Sequence, residues 1–358
     1  MTVSNRLQKL RQGLAGQGID AVIISRPENQ HYLSGFSGSG YLLITARKAV
    51  LATDFRYIEQ AGKQSPGYEV FRITNSISDW FPGLVGDLSV KRLGFEAGAV
   101  TFDLHRQLVE ALNKKVPTEL VPVSGLVESL RIVKELGEIE LIKKAVNIAD
   151  AAYEHVAGII RAGMTEKQIA WEIEKCLREN GSQPVPFEII VASGPNAALP
   201  HARPSERAVS PGEPMVIDMG AKYGGYASDL TRTICLGAPD STFRKVYQTV
   251  LDAQLTAMSI ISEGMTGQQA DGSARTVIEK AGYGEAFGHA LGHGIGLEIH
   301  EAPRLGPASI EKLAAGMVFS VEPGIYLPGW GGVRIEDTVI IENGKVKALS
   351  GARKTRYD

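Results

Sequence analysis

Four carboxylates in the second half of the chain constrain the fold more than any other feature. Asp218 ends the apolar run Met215-Val216-Ile217, and Asp229 lies in Ala227-Ser228-Asp229-Leu230-Thr231. Glu322 follows Val321, and Glu336 closes Val333-Arg334-Ile335. Each run reads as strand with at least one buried face. A buried carboxylate is costly unless it is paired or holds a cation. A fold that accommodates this chain therefore gathers these acids around a positive charge, or turns them out to solvent, with Arg334 and Glu336 paired on an exposed strand face.

The aspartates argue for gathering. Between them lies Lys222-Tyr223-Gly224-Gly225, a good turn. Closed by Ala221 against Tyr226, the hairpin sets Asp218 directly opposite Asp229, with Cβ atoms about 4.5–5.5 Å apart. Two like charges that close need neutralising; in another register one of them faces water. A second cluster, Gly288 to Glu301, carries His289, His293 and His300 of the seven histidines in the chain. Its glycines oppose a helix, so His289 and His293, four apart, are not a helical zinc pair. Several carboxylates with one imidazole suit Mn²⁺, Co²⁺ or Fe²⁺ and do not exclude Zn²⁺. Four acids carry more charge than one divalent ion needs, and two ions about 3.5–4 Å apart balance it better.

The surrounding pattern predicts two domains. Residues 1–124 alternate short strands and helices, an α/β arrangement: an opening helix with Leu7, Leu10 and Leu14 on one face, a strand over 19–25 followed by a turn at Pro27, strands over 41–45 and 49–53, a strand over 93–96 and a helix over 102–113. The glycine-rich stretch 35–40 reads as a surface loop. Residues 125–134 read as a linker. Residues 135–358 run as two helices, strands, two helices, strands, which implies an α+β domain of antiparallel sheet covered by helices. Thr165 with Gln168 and Thr266 with Gln269 mark two helix starts.

Composition narrows the partners. With 38 Lys and Arg against 40 Asp and Glu, the formal charge of −2 gives no long-range attraction to nucleic acid or anionic lipid. Two cysteines make no disulfide framework and suit a reducing compartment. No apolar stretch is long enough to span a bilayer, so a cytoplasmic location is expected. Cys235 reads as a small core residue, and Trp80, Trp171 and Trp330 as packing residues, Trp330 also as a possible wall of a pocket.

In this order, MVIDMG, YASDLTRT, GHGIGLEIHE, VEPGIY and VRIEDT resemble the motifs of the aminopeptidase P and prolidase metallopeptidases, whose catalytic domain has the pita-bread fold. The N-terminal third is similar to the α/β domain that precedes it in proline-specific members. The resemblance implies that Asp218, Asp229, His293, Glu322 and Glu336 hold two divalent ions, Mn²⁺ first among the candidates, with Asp229 and Glu336 bridging. It implies that Glu322 also accepts the proton of the attacking water, that His289 and His300 contact the scissile carbonyl and the tetrahedral intermediate, and that His201 lines the substrate site. Arg334 matches an arginine supporting the final glutamate. The implied reaction is hydrolysis of the bond between an N-terminal residue and proline by water activated between the metals. That makes the chain an Xaa-Pro aminopeptidase; the alternative is an Xaa-Pro dipeptidase (prolidase), and, from a different class, a non-catalytic peptide-binding module on the same scaffold. The dipeptidase needs a cation to receive the substrate carboxylate, for which Arg56 is the candidate named from the sequence. A homodimer is implied by the same resemblance.

Overall fold

The computed structural model describes residues 3–113, 116–355 and 357. Two compact units divide between Arg131 and Ile132. The expected linker is not a free segment. Glu128–Arg131 is helical, and buried Arg131 donates to Asn29 Oδ1 at 2.8 Å within the first unit. Val133 already bridges to Met317 in the second.

The first unit is a six-stranded mixed sheet in the order Glu69–Arg72, Ala49–Thr53, Gly40–Thr45, Ala21–Ile24, Arg92–Glu96, Glu119–Val123. The central strand Ala21–Ile24 is buried at every position, as expected of a strand covered on both faces. Pro27 does not make a turn. It opens a helix, Pro27–Ser34, at the first position, where its missing N–H costs nothing. Trp80 is buried among Phe81, Phe71 and Tyr41.

In the second unit two helix pairs back two sheets. Leu136–Ile159 and Glu166–Glu179 share a core with the sheet of Leu230–Cys235, Pro214–Met219 and Ile190–Ser193. Ser241–Ile260 and Gly267–Lys280 share another with a five-stranded sheet that includes Gly292–Gly294, Val318–Val321 and Asp337–Glu342. Both predicted capping boxes form, at Thr165 and Thr266. Cys235 is buried in the second core. Trp171 departs from expectation: it is 62% exposed on the solvent side of its helix.

The aspartate hairpin closes two residues tighter than predicted. Gly224 and Gly225 both take positive φ, 57° and 87°, as a two-residue primed turn requires, so Tyr223 pairs with Tyr226 and Asp218 with Thr231. Asp218 and Asp229 are therefore not directly opposed. A shift of two preserves side-chain parity, and both still reach the same cavity.

Two stretches expected as continuous strands are interrupted at the acids. The ladder stops between Ala227 and Leu230 and again between Arg334 and Asp337. Residues 349–355 then return over the back of these strands. Arg232, almost fully buried, donates to the carbonyls of Thr231, Glu336 and Ala352 and pairs with Asp337 at 2.8 Å. Lys354 pairs with Asp337 from the returning segment. Tyr357 packs against Phe243 and Tyr247, each at 4.9 Å between ring centroids.

Candidate active site

The strand breaks aim the acids. Thr338 Oγ1 donates to the Asp229 carbonyl at 2.8 Å and accepts from the Asp229 N–H at 3.2 Å. Thr231 Oγ1 donates to Glu336 Oε2 at 2.7 Å, while the Glu336 N–H donates to the Thr231 carbonyl. These cross-links let Asp229 and Glu336 leave the ladder without unpaired backbone and turn both carboxylates inward. Glu322 sits in the corner before Pro323, and its Oε1 accepts from Ser320 Oγ at 2.9 Å.

Asp229, His293 and Glu336 each offer a ligand atom, all within 4.8 Å of one another. His293 Nδ1 lies 3.2 Å from the Gly294 carbonyl, which can only accept, so the proton sits on Nδ1. Nε2 then faces Glu322 Oε1 at 3.3 Å and Asp229 Oδ2 at 3.5 Å, the orientation of a metal-ligating imidazole. Asp218 Oδ2 receives Arg334 Nη2 at 2.7 Å. Asp218 Oδ1 and Glu336 Oε1 are buried without a hydrogen-bond partner among the described residues.

Electrostatics point the same way. Burial pushes Asp218 up against the pull of Arg334. Burial, then the neighbouring acids, drive Asp229 and Glu336 well above the carboxylate range. Burial also raises Glu322, but the His293 contact outweighs it and holds the group at about 2. The cluster is thus short of positive charge. Two orphaned buried oxygens, a suitably oriented imidazole and an oxygen-rich donor set fit a divalent cation.

A cavity of about 1070 Å³ covers the cluster, lined by residues of the second unit. Asp218, Asp229, His293, Glu322 and Glu336 line it, with His201, His289, His300 and Arg334. Trp330 does not: it follows the tight turn after Leu327 and packs on the apolar core behind. Arg56 lies in the first unit, its guanidinium engaged by Asp54 at 2.7 Å.

Tyr326, missed in the sequence, links two of these groups. Its hydroxyl accepts from Arg334 Nη1 at 2.9 Å and lies 2.9 Å from His289 Nε2. His289 Nδ1 faces the Ala290 carbonyl at 2.8 Å, so its Nε2 accepts the tyrosine proton. Burial pushes His289 below its ordinary value, in keeping with a neutral ring. His289 therefore presents no free N–H to a carbonyl in this arrangement. Exposed His300, its ring 4.3 Å from that of His293, has no hydrogen-bond partner among the described residues.

Glu166 was missed as well. Fully buried at the start of its helix, it accepts from Ser193 N–H and Oγ, Asn196 Nδ2, and Ser205 N–H and Oγ. It thereby anchors both ends of the loop that carries His201. Burial raises this carboxyl, but the serine bonds outweigh it and bring it below its ordinary 4.5. A depressed folded value stabilises above the ordinary value and is lost as pH falls through the folded one. Glu166→Gln is expected to cost about 1–3 kcal/mol near neutral pH, with the gap to wild type narrowing as the pH approaches 4. Urea midpoints at the two pH values check this; an unchanging gap counts against it.

Comparison with known proteins gives two family matches that together span most of the chain. Residues 140–343 match metallopeptidase family M24, and residues 6–133 match the creatinase/prolidase N-terminal domain. The chain is 38% identical to an Xaa-Pro dipeptidase of Pyrococcus furiosus over 97% of its own length and 98% of the relative's. An Xaa-Pro dipeptidase structure from Bacillus anthracis superposes with a TM-score of 0.95 at 41% identity, covering 99% of each chain. An X-Pro aminopeptidase structure from Thermotoga maritima gives 0.89 at 38% identity, covering 96% of this chain and 99% of the other.

Proposed function

The chain belongs to metallopeptidase family M24, and from that premise we propose that it hydrolyses Xaa-Pro dipeptides. The observation that carries this reading is a buried acid–imidazole cluster under a cavity whose wall holds one uncommitted guanidinium. Of the arginines lining that cavity, Arg334 is bound to Asp218 and Tyr326, and Arg203 pairs with Glu188 at 3.0 Å. Arg304, exposed on the strand Glu301–Leu305, has no acidic partner among the described residues. It takes the part first considered for Arg56, receiving the carboxylate of a dipeptide by charge-assisted hydrogen bonds. The Pyrococcus and Bacillus relatives, both named Xaa-Pro dipeptidases, favour the same choice. The aminopeptidase reading is the alternative, favoured by the Thermotoga neighbour.

Asp218, Asp229, His293, Glu322 and Glu336 would hold the divalent ions, and two ions, with Mn²⁺ foremost, match the count of acids. When bound, such ions supply Lewis acidity that activates a water and polarises the scissile carbonyl. The chain's own groups do the rest. Glu322, its carboxylate 3.3 Å from His293 Nε2, is placed to take the proton of the attacking water. His300 offers its free imidazole to the carbonyl oxygen. Arg334 holds Asp218 and, through Tyr326, His289 in their orientations. Proline offers no N–H to a strand-binding protease, so recognition falls on the cavity walls. The described residues contain no helix long and apolar enough to cross a membrane. Homodimerisation and a cytoplasmic location belong to the same reading, and sedimentation and cell fractionation check them.

The test compares an Xaa-Pro dipeptide with the same sequence extended by one residue. The dipeptide is expected to be the better substrate, and Arg304→Met to raise its KM about 10-fold or more with little effect on the longer peptide. Faster cleavage of the longer peptide by the wild type would establish the aminopeptidase instead.

A further inference from the structure

We propose that Lys134 is a positioning residue, whose ammonium fixes the Glu301 carboxylate and with it the turn that presents His300. The geometry stands by itself; the kinetic consequence rests on the peptidase reading.

Lysine is almost never fully buried unless paired. The Lys134 side chain is 1% exposed, and its Nζ lies 2.7 Å from Glu301 Oε1, itself on a side chain 8% exposed. Nζ also donates to the Ile132 carbonyl at 3.2 Å. The lysine backbone is held in turn: its N–H donates to the Gly316 carbonyl at 2.9 Å, and Val133 bridges to Met317. The ammonium therefore projects from a fixed base.

Glu301 is the residue after His300 and pairs with Gly294, the residue after His293. Its carboxylate fills the space over Gly296 that a Cβ there would need. Gly296 donates to the Glu298 carbonyl, and its own carbonyl accepts from Ala227, two residues before Asp229. The carboxylate thus closes the turn 296–300 from its inner side. Without the ammonium the buried carboxylate loses the 2.7 Å ion pair that fixes its position over Gly296. His300 is attached to it directly. Lys134 does not line the cavity, so any effect on turnover passes through Glu301.

Hydrogen exchange and kinetics on the metal-loaded full chain test the assignment. Lys134→Met is expected to speed amide exchange across 294–301 at least about 10-fold and to lower kcat about 10-fold, with metal content unchanged and KM shifted less than about twofold. Lys134→Arg should restore most of the loss. In a His300→Ala background the same Lys134→Met change should cost less than about twofold, because the group it positions is gone. Unchanged exchange, or an equal loss in both backgrounds, overturns the proposal. Should Lys134→Met fail to fold, Glu301→Gln removes the charge from the other side and must give the same exchange and background dependence. If the wild type cleaves no Xaa-Pro substrate, the functional reading fails while the exchange result still decides whether Lys134 holds the turn.

Discussion

Asp229→Asn is expected to remove most bound divalent metal and to lower kcat/KM by about three orders of magnitude or more. The substitution is nearly isosteric. The bonds that hold residue 229 in the strand break run from Thr338 to its backbone N–H and carbonyl, so they survive. What is lost is one anionic ligand from the set formed with His293 and Glu336. In chelator the variant should unfold no more easily than wild type, because it removes one of several crowded like charges. Metal content by elemental analysis, activity on an Xaa-Pro dipeptide and a melt in chelator separate ligand loss from misfolding. Wild-type metal content together with wild-type turnover would remove Asp229 from the ligand set.

Arg232→Met is expected to cost about 3–5 kcal/mol of stability, the largest loss for one side chain remote from substrate. Its guanidinium gathers the Thr231, Glu336 and Ala352 carbonyls together with the Asp337 carboxylate. Removing it strands the buried Glu336 and Ala352 carbonyls, while the Thr231 carbonyl keeps the Glu336 N–H. Lys354 keeps part of the charge on Asp337 satisfied, which caps the loss. Because Thr231 and Glu336 are held from behind by this group, metal affinity should weaken too. Urea unfolding and a metal titration measure both effects; a change below about 1 kcal/mol would mean that the buried network is replaceable.

Much of the site was legible because its chemistry is local. A carboxylate ending a β-branched run and histidines set among glycines violate ordinary patterning, and such conflicts mark function. The hairpin turn was legible in kind but not in length. Two glycines can both adopt positive φ, and whether they form the whole turn or half of it depends on packing beyond the hairpin. The strand breaks at Asp229 and Glu336 left no trace in the alternation, because Thr231 and Thr338, which make them, are ordinary strand residues. Tyr326 was invisible for a related reason. Its value lies in Arg334 and His289, which flank it only in space. Lys134 sat in a segment read as linker, and a lysine shows its burial only once Glu301 is beside it. Some signals were present but unused: Ser76 and Asp79 form a capping box that announces the helix Ile77–Asp87.

The segment that returns over Arg232 has a consequence for how the protein is made. Domains fold as units during synthesis, the N-terminal one first. The first unit is a compact body that ends at Arg131. The catalytic unit is in a different position, since Glu336, Asp337, Ala352 and Tyr357 all follow the other ligands in the chain. While the ribosome still encloses that stretch, the earlier ligands are present but the site is not. The site can therefore assemble only after that segment has emerged and packed against Arg232.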